Sequence, residues 1–321
     1  MSSSSKVMSA AEAVKKFVSK GDCISFGGFT VNRNPMALVH EVLRQKIGNL
    51  HAVMHSGSQA LDLLIGAGYI ELVEIAYGAN GRFANTCVRF RNAVERGSIS
   101  VEDYTNYQIT LRFMAGAMGV PYLPTYSGLG SDIVSKWGID EAKRASKSSL
   151  PEKKLVVSND PFSDGKPLVL VPAVNPDVTL LHVHQASEEG LARIEGLTFA
   201  DIEQARASKH IVLSCEELVT SEQLRREPWR NCFPHTIVDA VVHQPFGSHP
   251  TACYLQYDYD AIHLNEYREL ANDDKKFVDY LEAYVFRVSN FNEYLEIIGK
   301  ERLDSIRASP NLGYRERRND T

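Results

Sequence analysis

Apolar residues along the chain fall into short runs of two kinds. The segments "CISF" (23–26), "LHAVMH" (50–55), "IELVEIAY" (70–77), "KPLVLVPAV" (166–174), "VTLLHVH" (178–184), "HIVLSCEEL" (210–218) and "TIVDAVVH" (236–243) are compact and rich in β-branched residues. That pattern predicts buried strands. Between them, "PMALVHEVLRQ" (35–45), "ALDLLIGA" (60–67), "NYQITLRFMAGAMG" (106–119) and "FADIEQARAS" (199–208) carry helical spacing. Alternation of this kind implies right-handed βαβ crossovers. The expected fold is α/β: an open, mostly parallel sheet with helices on both faces.

Other local signals extend this outline. Ser9-Ala-Ala-Glu12 has the form of a capping box and predicts a helix running to Lys20 and stopping at Gly21. The polar stretch "WGIDEAKRASKSSLPEKK" (137–154) offers few apolar residues to bury and reads as a surface excursion. Two helices are expected between Asp273 and Gly299, where "YLEAYVFRV" (280–288) is apolar enough to need a surface to dock on. With no repeat or low-complexity linker, residues 7–321 read as one domain with a C-terminal helical extension from about 273, behind a short disordered lead at 1–6.

The small and polar residues fall where strands end. "SFGGFTVNRNP" (25–35) turns from strand to helix through Gly27 and Gly28. Glycine lets a backbone approach something closely and adopts positive φ cheaply. Pro35 suits a first helical turn, and free N–H groups at a helix start favour an anion or a developing oxyanion. A tight strand-to-helix turn with no ligand is the plainer reading. The next two strands end in Ser56-Gly57-Ser58 and in Gly78-Ala79-Asn80-Gly81-Arg82, so three loops reach one carboxyl edge. Ligands bind there in open α/β sheets. The dinucleotide spacing G-x-G-x-x-G and the phosphate loop G-x-x-x-x-G-K-[ST] are both absent.

Composition narrows the function classes. The chain has 321 residues, 44% hydrophobic and 23% charged, as ordinary globular proteins do. A net charge of −5 without a basic stripe argues against nucleic-acid binding. No signal-like apolar region and no membrane-length run are visible, so a cytoplasmic protein that does not engage a membrane is expected. Cys23, Cys87, Cys215, Cys232 and Cys253 are odd in number and widely spaced, which indicates neither a disulfide framework nor a zinc site. His182 and His184 face one side of a strand, but no third metal ligand stands at familiar spacing. A hydrogen-bonding role is expected for them, and no metal. Glu217 is expected to cap, or to pair with Arg225 and Arg226, and Glu216 could supply a carboxylate. No G-x-S-x-G elbow or other nucleophile with an adjacent base is present. The chain reads as a ligand cleft lacking part of its catalytic set.

The segments "GGFTVNRNPMALVHEVLRQ", "ALDLLIGAGYIE", "MAGAMGVPYLPTYSGLGS", "HVHQASEEG", "IVLSCEELVTSEQLRREP" and "VDAVVHQPFGSHPTACY" resemble the α subunits of glutaconate-type family I CoA-transferases. The resemblance spans about Val7 to Tyr314. It implies transfer of CoA between short (di)carboxylic acids by a heteromer, α2β2 or α4β4, with the site between subunits. CoA enters as a thioester substrate, and no permanently bound cofactor is implied. The homologous β subunit would supply a glutamate that attacks the thioester, giving an anhydride and then a glutamyl-CoA. Such covalent catalysis divides one difficult acyl transfer into two easier steps.

The resemblance also assigns residues. Counting back from Gly119-Val120-Pro121, Asn106 takes the place of a family glutamine whose amide donates to the thioester oxyanion. Gln108 is nearby but out of register. Asparagine is one methylene shorter, and the fold also hosts glutaconyl-CoA-type decarboxylases and CoA-thioester hydrolases, which stand as alternatives. A non-catalytic acyl-CoA-binding protein is the alternative of another class. The substrate-lining set is Gly27, Gly28, Phe29, Ser56, Gly57, Asn80 and Arg82. Arg82 either holds the far carboxylate of a dicarboxylic acyl group, or is a solvated loop residue or pairs with acids of the β subunit.

Overall fold

A computed structural model describes residues 5–316. Its larger sheet contains β1 (Cys23–Phe26), β2 (Leu50–Gly57), β3 (Ile70–Gly78), β4 (Ser100–Asp103), β8 (Val178–Ser187), β10 (His210–Val219) and β11 (Ala240–His243). These strands are parallel, in the order β11-β10-β8-β1-β2-β3-β4, and the two-residue β9 (Ala192–Arg193) adds antiparallel to β8. Helices α1 (Ala10–Phe17), α2 (Met36–Arg44) and α3 (Gln59–Gly66) pack on one face, and α5 (Asn106–Met118) with helix Asp201–Ala207 covers the other. Helix α4 (Val88–Glu95) lies against α3.

The expected parallel sheet is present, with departures that have physical causes. "KPLVLVPAV" does not join it. β7 (Pro167–Pro172) pairs antiparallel with β5 (Tyr122–Thr125) and β6 (Val156–Asn159) in a separate sheet. β6 and β7 are joined by a short turn closed by the Asp160 N–H to Lys166 carbonyl bond, 2.8 Å, and a turn that short permits only antiparallel pairing. "TIVDAVVH" begins as a 3₁₀ turn at His235–Ile237 and becomes strand only at Ala240. The Ser9–Glu12 capping box is formed, but α1 ends at Phe17 rather than Lys20, because Val18 turns extended and buries its side chain. Pro35 sits at the cap position, and α2 begins at Met36.

The polar segment 137–154 is anchored rather than loose. Fully buried Glu102, on β4, accepts from the Gly138 and Ile139 amides at 2.9 and 3.3 Å, pairs with Arg144, and meets Lys154 at 3.0 Å. Burial there runs through ion pairs, which a count of apolar residues does not register. The two helices expected between Asp273 and Gly299 are present, and a short third follows them. Asp274–Leu281 runs into a π-helical turn at Glu282–Phe286, followed by Phe291–Ile298 and Lys300–Ser305. Phe277, Tyr280, Leu281, Val285 and Phe291 share one apolar cluster with Met36, Leu38, Leu61 and Leu64, so the extension docks on α2 and α3. Of the expected lead, residues 1–4 lie outside the described residues. Lys6 is fixed, donating to the carbonyls of Glu188 and His235.

Candidate functional site

The carboxyl ends of β1, β2, β3 and β4 lie side by side, and each predicted site residue ends or follows one of them. After β1, the N–H of Gly27 donates to the Leu180 carbonyl at 2.9 Å and that of Gly28 to Asp201 Oδ1 at 2.8 Å. Both amides are therefore engaged within the chain rather than free. Added Cβ atoms show why glycine is needed: at Gly27 one would meet Leu181 and Asp201, and at Gly28, where φ is +86°, the Asn32 carbonyl. The close approach is by the chain itself. Phe29 and Asn32 exchange two 2.9 Å backbone bonds in a miniature hairpin, and Phe29 stacks on Phe199 with centroids 4.6 Å apart. Fully buried Asp201 also pairs with Arg33 at 2.6 Å, tying this corner to helix Asp201–Ala207.

At the end of β2, Ser56 is buried and its hydroxyl has no partner among the described residues. Gly57 packs tightly, since a Cβ there would meet Ile75 and Met54 at 2.9 Å. Ser58 donates to Asn34 Oδ1 at 2.8 Å, fixing the start of α3 to the β1 corner. Gln59 Nε2 and His55 Nδ1 are also buried without partners. Burial pushes the His55 ring below its ordinary pKa, against the pull of Asp201. Buried polar groups are normally satisfied, so three unpartnered atoms at one strand end stand out. His55 and Gln59 were missed from the sequence, where neither stood in a recognisable motif.

The loop after β3 divides its two predicted residues. Asn80 is buried and turned inward, donating to Gln59 Oε1 at 2.8 Å. Arg82 is exposed, with its guanidinium 5.1 Å from the Phe83 ring centroid and 5.2 Å from that of Tyr259.

After β4, Thr105 caps α5. It forms a capping box with Gln108, both bonds 3.0 Å, and the Gln108 amide also donates to the Ser127 carbonyl at 2.9 Å. Gln108 is thus consumed by structure. Asn106 is the first residue of α5, exposed, with its side-chain amide unbonded among the described residues. The Tyr104 N–H donates to the Ile75 carbonyl at 3.0 Å, which sets Asn106 level with the end of β3. Asn106 and the glycines of β1 share the edge but stand three strand spacings apart, roughly 14 Å.

The histidine pair does bond, as expected. His184 donates from Nε2 to the Tyr254 carbonyl at 2.7 Å and accepts at Nδ1 from the Glu195 N–H at 3.0 Å, a neutral tautomer. Burial, helped by Arg33, lowers its pKa to about 3. His182 meets Ser214 at 2.8 Å and Glu216 at 2.7 Å. The ligand atoms of His182, Glu216 and Cys253 lie within 4.8 Å of one another, a grouping the sequence spacing did not reveal. Glu216 is already bonded by the Tyr257 hydroxyl at 2.7 Å and the Phe246 N–H at 2.8 Å, and burial pushes the Cys253 thiol well up. These are the bonds of a structural knot. Glu217 does not pair with Arg225 or Arg226, which meet Glu189 and Glu222; it accepts from Gln185 and Gln256 instead. The five cysteines are free thiols, and no helix among the described residues is long and apolar enough to cross a membrane.

The family model described as coenzyme A transferase matches residues 7–244. One chain of the glutaconate CoA-transferase of Acidaminococcus fermentans is 37% identical over 310 residues, 97% of either chain. The crystal structure of that organism's enzyme superposes with a TM-score of 0.95, covering 98% of this chain and 99% of the other. The structure of the decarboxylase AibA/AibB C56S variant, 27% identical, superposes with a TM-score of 0.71 over 87% of this chain and 99% of that one.

Proposed function

The chain belongs to the coenzyme A transferase family, and on that premise we propose that it is the α subunit of a heteromeric CoA-transferase for short dicarboxylic acyl groups. The observation that carries this reading is the unbonded amide of Asn106, presented at the carboxyl edge. The buried carboxylates behind that edge are committed: Asp201 to Arg33, Glu216 to His182 and Tyr257, and Asp62 to Tyr267 and the Phe90 N–H. An oxyanion donor with no nucleophile of its own needs one from a partner.

In the proposed reaction, a carboxylate from the partner attacks the acyl-CoA carbonyl carbon, and the π electrons move onto the thioester oxygen. The Asn106 amide donates to that oxygen as its charge grows. The tetrahedral adduct collapses by expelling CoA thiolate, leaving an anhydride. The thiolate then attacks the partner's own acyl carbon, releasing the free acid and leaving CoA on the partner as a thioester. The incoming acid reverses both steps. Donors aimed at the developing charge act most in the transition state.

Exposed aromatic surface near Asn106 supports a covering partner. Tyr107 and Tyr126 are each 59% exposed, and Tyr77 is 39% exposed at the end of β3. Apolar surface left open in this way marks an interaction face. The test is acyl transfer from a dicarboxylic acyl-CoA to acetate, with the chain alone and with its partner. Transfer is expected only from the pair, and full activity of the isolated chain overturns the proposal. Decarboxylation is the second reading, favoured by asparagine where the family resemblance places glutamine. CO2 release without CoA transfer would establish it instead.

A further inference from the structure

Beyond the end of β3 lies an open cavity of about 340 Å3 whose lining is cationic and contains no carboxylate. Arg82, Arg91 and Arg268 converge on it, with Asn85, Thr86 and Asn272 completing the polar wall. The neighbouring arginines of the same helix region behave differently. Arg89 and Arg96 both pair with Asp274, at 2.7 and 2.9 Å. Arg82, Arg91 and Arg268 reach no carboxylate within 4.0 Å among the described residues.

The three guanidinium groups repel one another, yet two are held in place. Arg82 lies against the Phe83 and Tyr259 rings, which themselves meet edge to face at 5.2 Å. Arg268 Nη1 donates to the Phe83 carbonyl at 3.3 Å. Phe83 thus orients both. Guanidinium presents a fixed fork of donors that matches carboxylate oxygens two at a time. Three such forks around one cavity exceed what a solvated loop needs, and they match an anionic ligand of more than one charge. The volume corresponds to that of roughly ten liquid waters, enough for the end of a short acyl chain.

We infer that this cavity is the subsite for the carboxylate-bearing end of the acyl group, and that Arg91 and Arg268 act with Arg82 as its specificity-determining residues. The inference rests on the transferase reading above and extends it from one arginine to three. Arg82 leaves the end of β3 on the same loop as Gly78 and Asn80, so the cavity opens beside the carboxyl end of β3, the strand that pairs with the β4 preceding Asn106. Charge, rather than chain shape, is then the feature by which this protein selects its substrate.

The test uses the complex with its partner and the variants Arg91→Gln, Arg268→Gln and their double, with Arg268→Lys as a charge-retaining control. Two quantities are read: the kcat/KM ratio for a dicarboxylic over a monocarboxylic acyl-CoA of equal length, and calorimetric binding of free glutarate. Each glutamine variant is expected to lower the ratio about 10- to 100-fold, chiefly through KM, and to weaken glutarate binding similarly. Arg268→Lys should recover part of the loss. An unchanged ratio overturns the inference. So does a loss that appears only when CoA is compared with dephospho-CoA, which would assign the arginines to a phosphate. Release of the partner on gel filtration also overturns it, by assigning them to partner acids. If the complex transfers no CoA but loses glutarate binding in the variants, the transferase reading fails and the cavity assignment stands.

Discussion

Asn106 and Asp201 show how differently two polar residues at the same edge are used. Asn106 is exposed and unbonded among the described residues, so its removal touches little of the fold. Asn106→Ala is expected to cut kcat about 100-fold, with a small change in KM and in the urea midpoint, because an oxyanion donor acts mainly in the transition state. A wild-type kcat would remove the oxyanion role. Asn106→Gln separates the two chemistries: a transferase should tolerate the longer side chain, whereas a site shaped for decarboxylation should lose turnover. Asp201 is fully buried and holds both the Gly28 N–H and Arg33. Asp201→Ala leaves a buried guanidinium unpaired, a change that costs roughly 3–5 kcal/mol, to be read from chemical unfolding. A midpoint within error of wild type would show that Arg33 finds another partner. The glycine pair was legible as a close approach, but its partner was not, because Asp201 lies 173 residues away.

Elements followed their local signals where those were self-contained. The box at Ser9 formed, and a second at Thr105 gives α5 its start, because such bonds involve residues three apart. β4 was missed, since "SVED" carries one apolar residue and buries a glutamate instead. Its Glu102 clamps segment 137–154 through Arg144 and Lys154, both buried. Glu102→Gln is therefore expected to raise amide exchange in 137–154 well before global unfolding, since buried Arg144 loses its counter-charge and Lys154 keeps only Asp103, 3.2 Å away. Exchange confined to wild-type rates would mean that the segment is held by Ile139 and Leu150 alone, its residues in a small cluster with Leu72.

For the molecule as a whole, buried histidines set the pH range of stability. Burial lowers the pKa of His40, His55, His184, His249 and His263 below the ordinary 6.5, and for His249 it outweighs the pull of Asp260. A histidine depressed in the folded state is protonated more readily once unfolded, so stability falls as pH drops below about 6.5. His51 has the opposite sign. Burial opposes its charge, but Cys23 and Glu74 outweigh burial and raise it to about 10. What His51 contributes is fully present below 6.5 and is lost as pH rises toward 10. The urea midpoint is therefore expected to peak between about pH 6 and 8. A midpoint flat from pH 7 to 5 would contradict the acid arm. Loss of slope above pH 7 in His51→Gln, measured against wild type, would support the alkaline arm.

The sequence by itself determined the α/β class, the parallel strands and their shared carboxyl edge, and the resemblance that pointed to Asn106. Those features rest on spacings of two to four residues, or on ordered blocks read directly along the chain. Tertiary structure alone decided that the Gly27 and Gly28 amides serve the chain rather than a ligand, that Asn80 faces inward, and that β7 leaves the main sheet. It also brought Arg82 and Arg91 to Arg268, from a helix far along the sequence. The reason is physical: hydrogen bonds and charges act over a few ångströms of space, and sequence patterns report such distances only within a turn, a helix face or a strand.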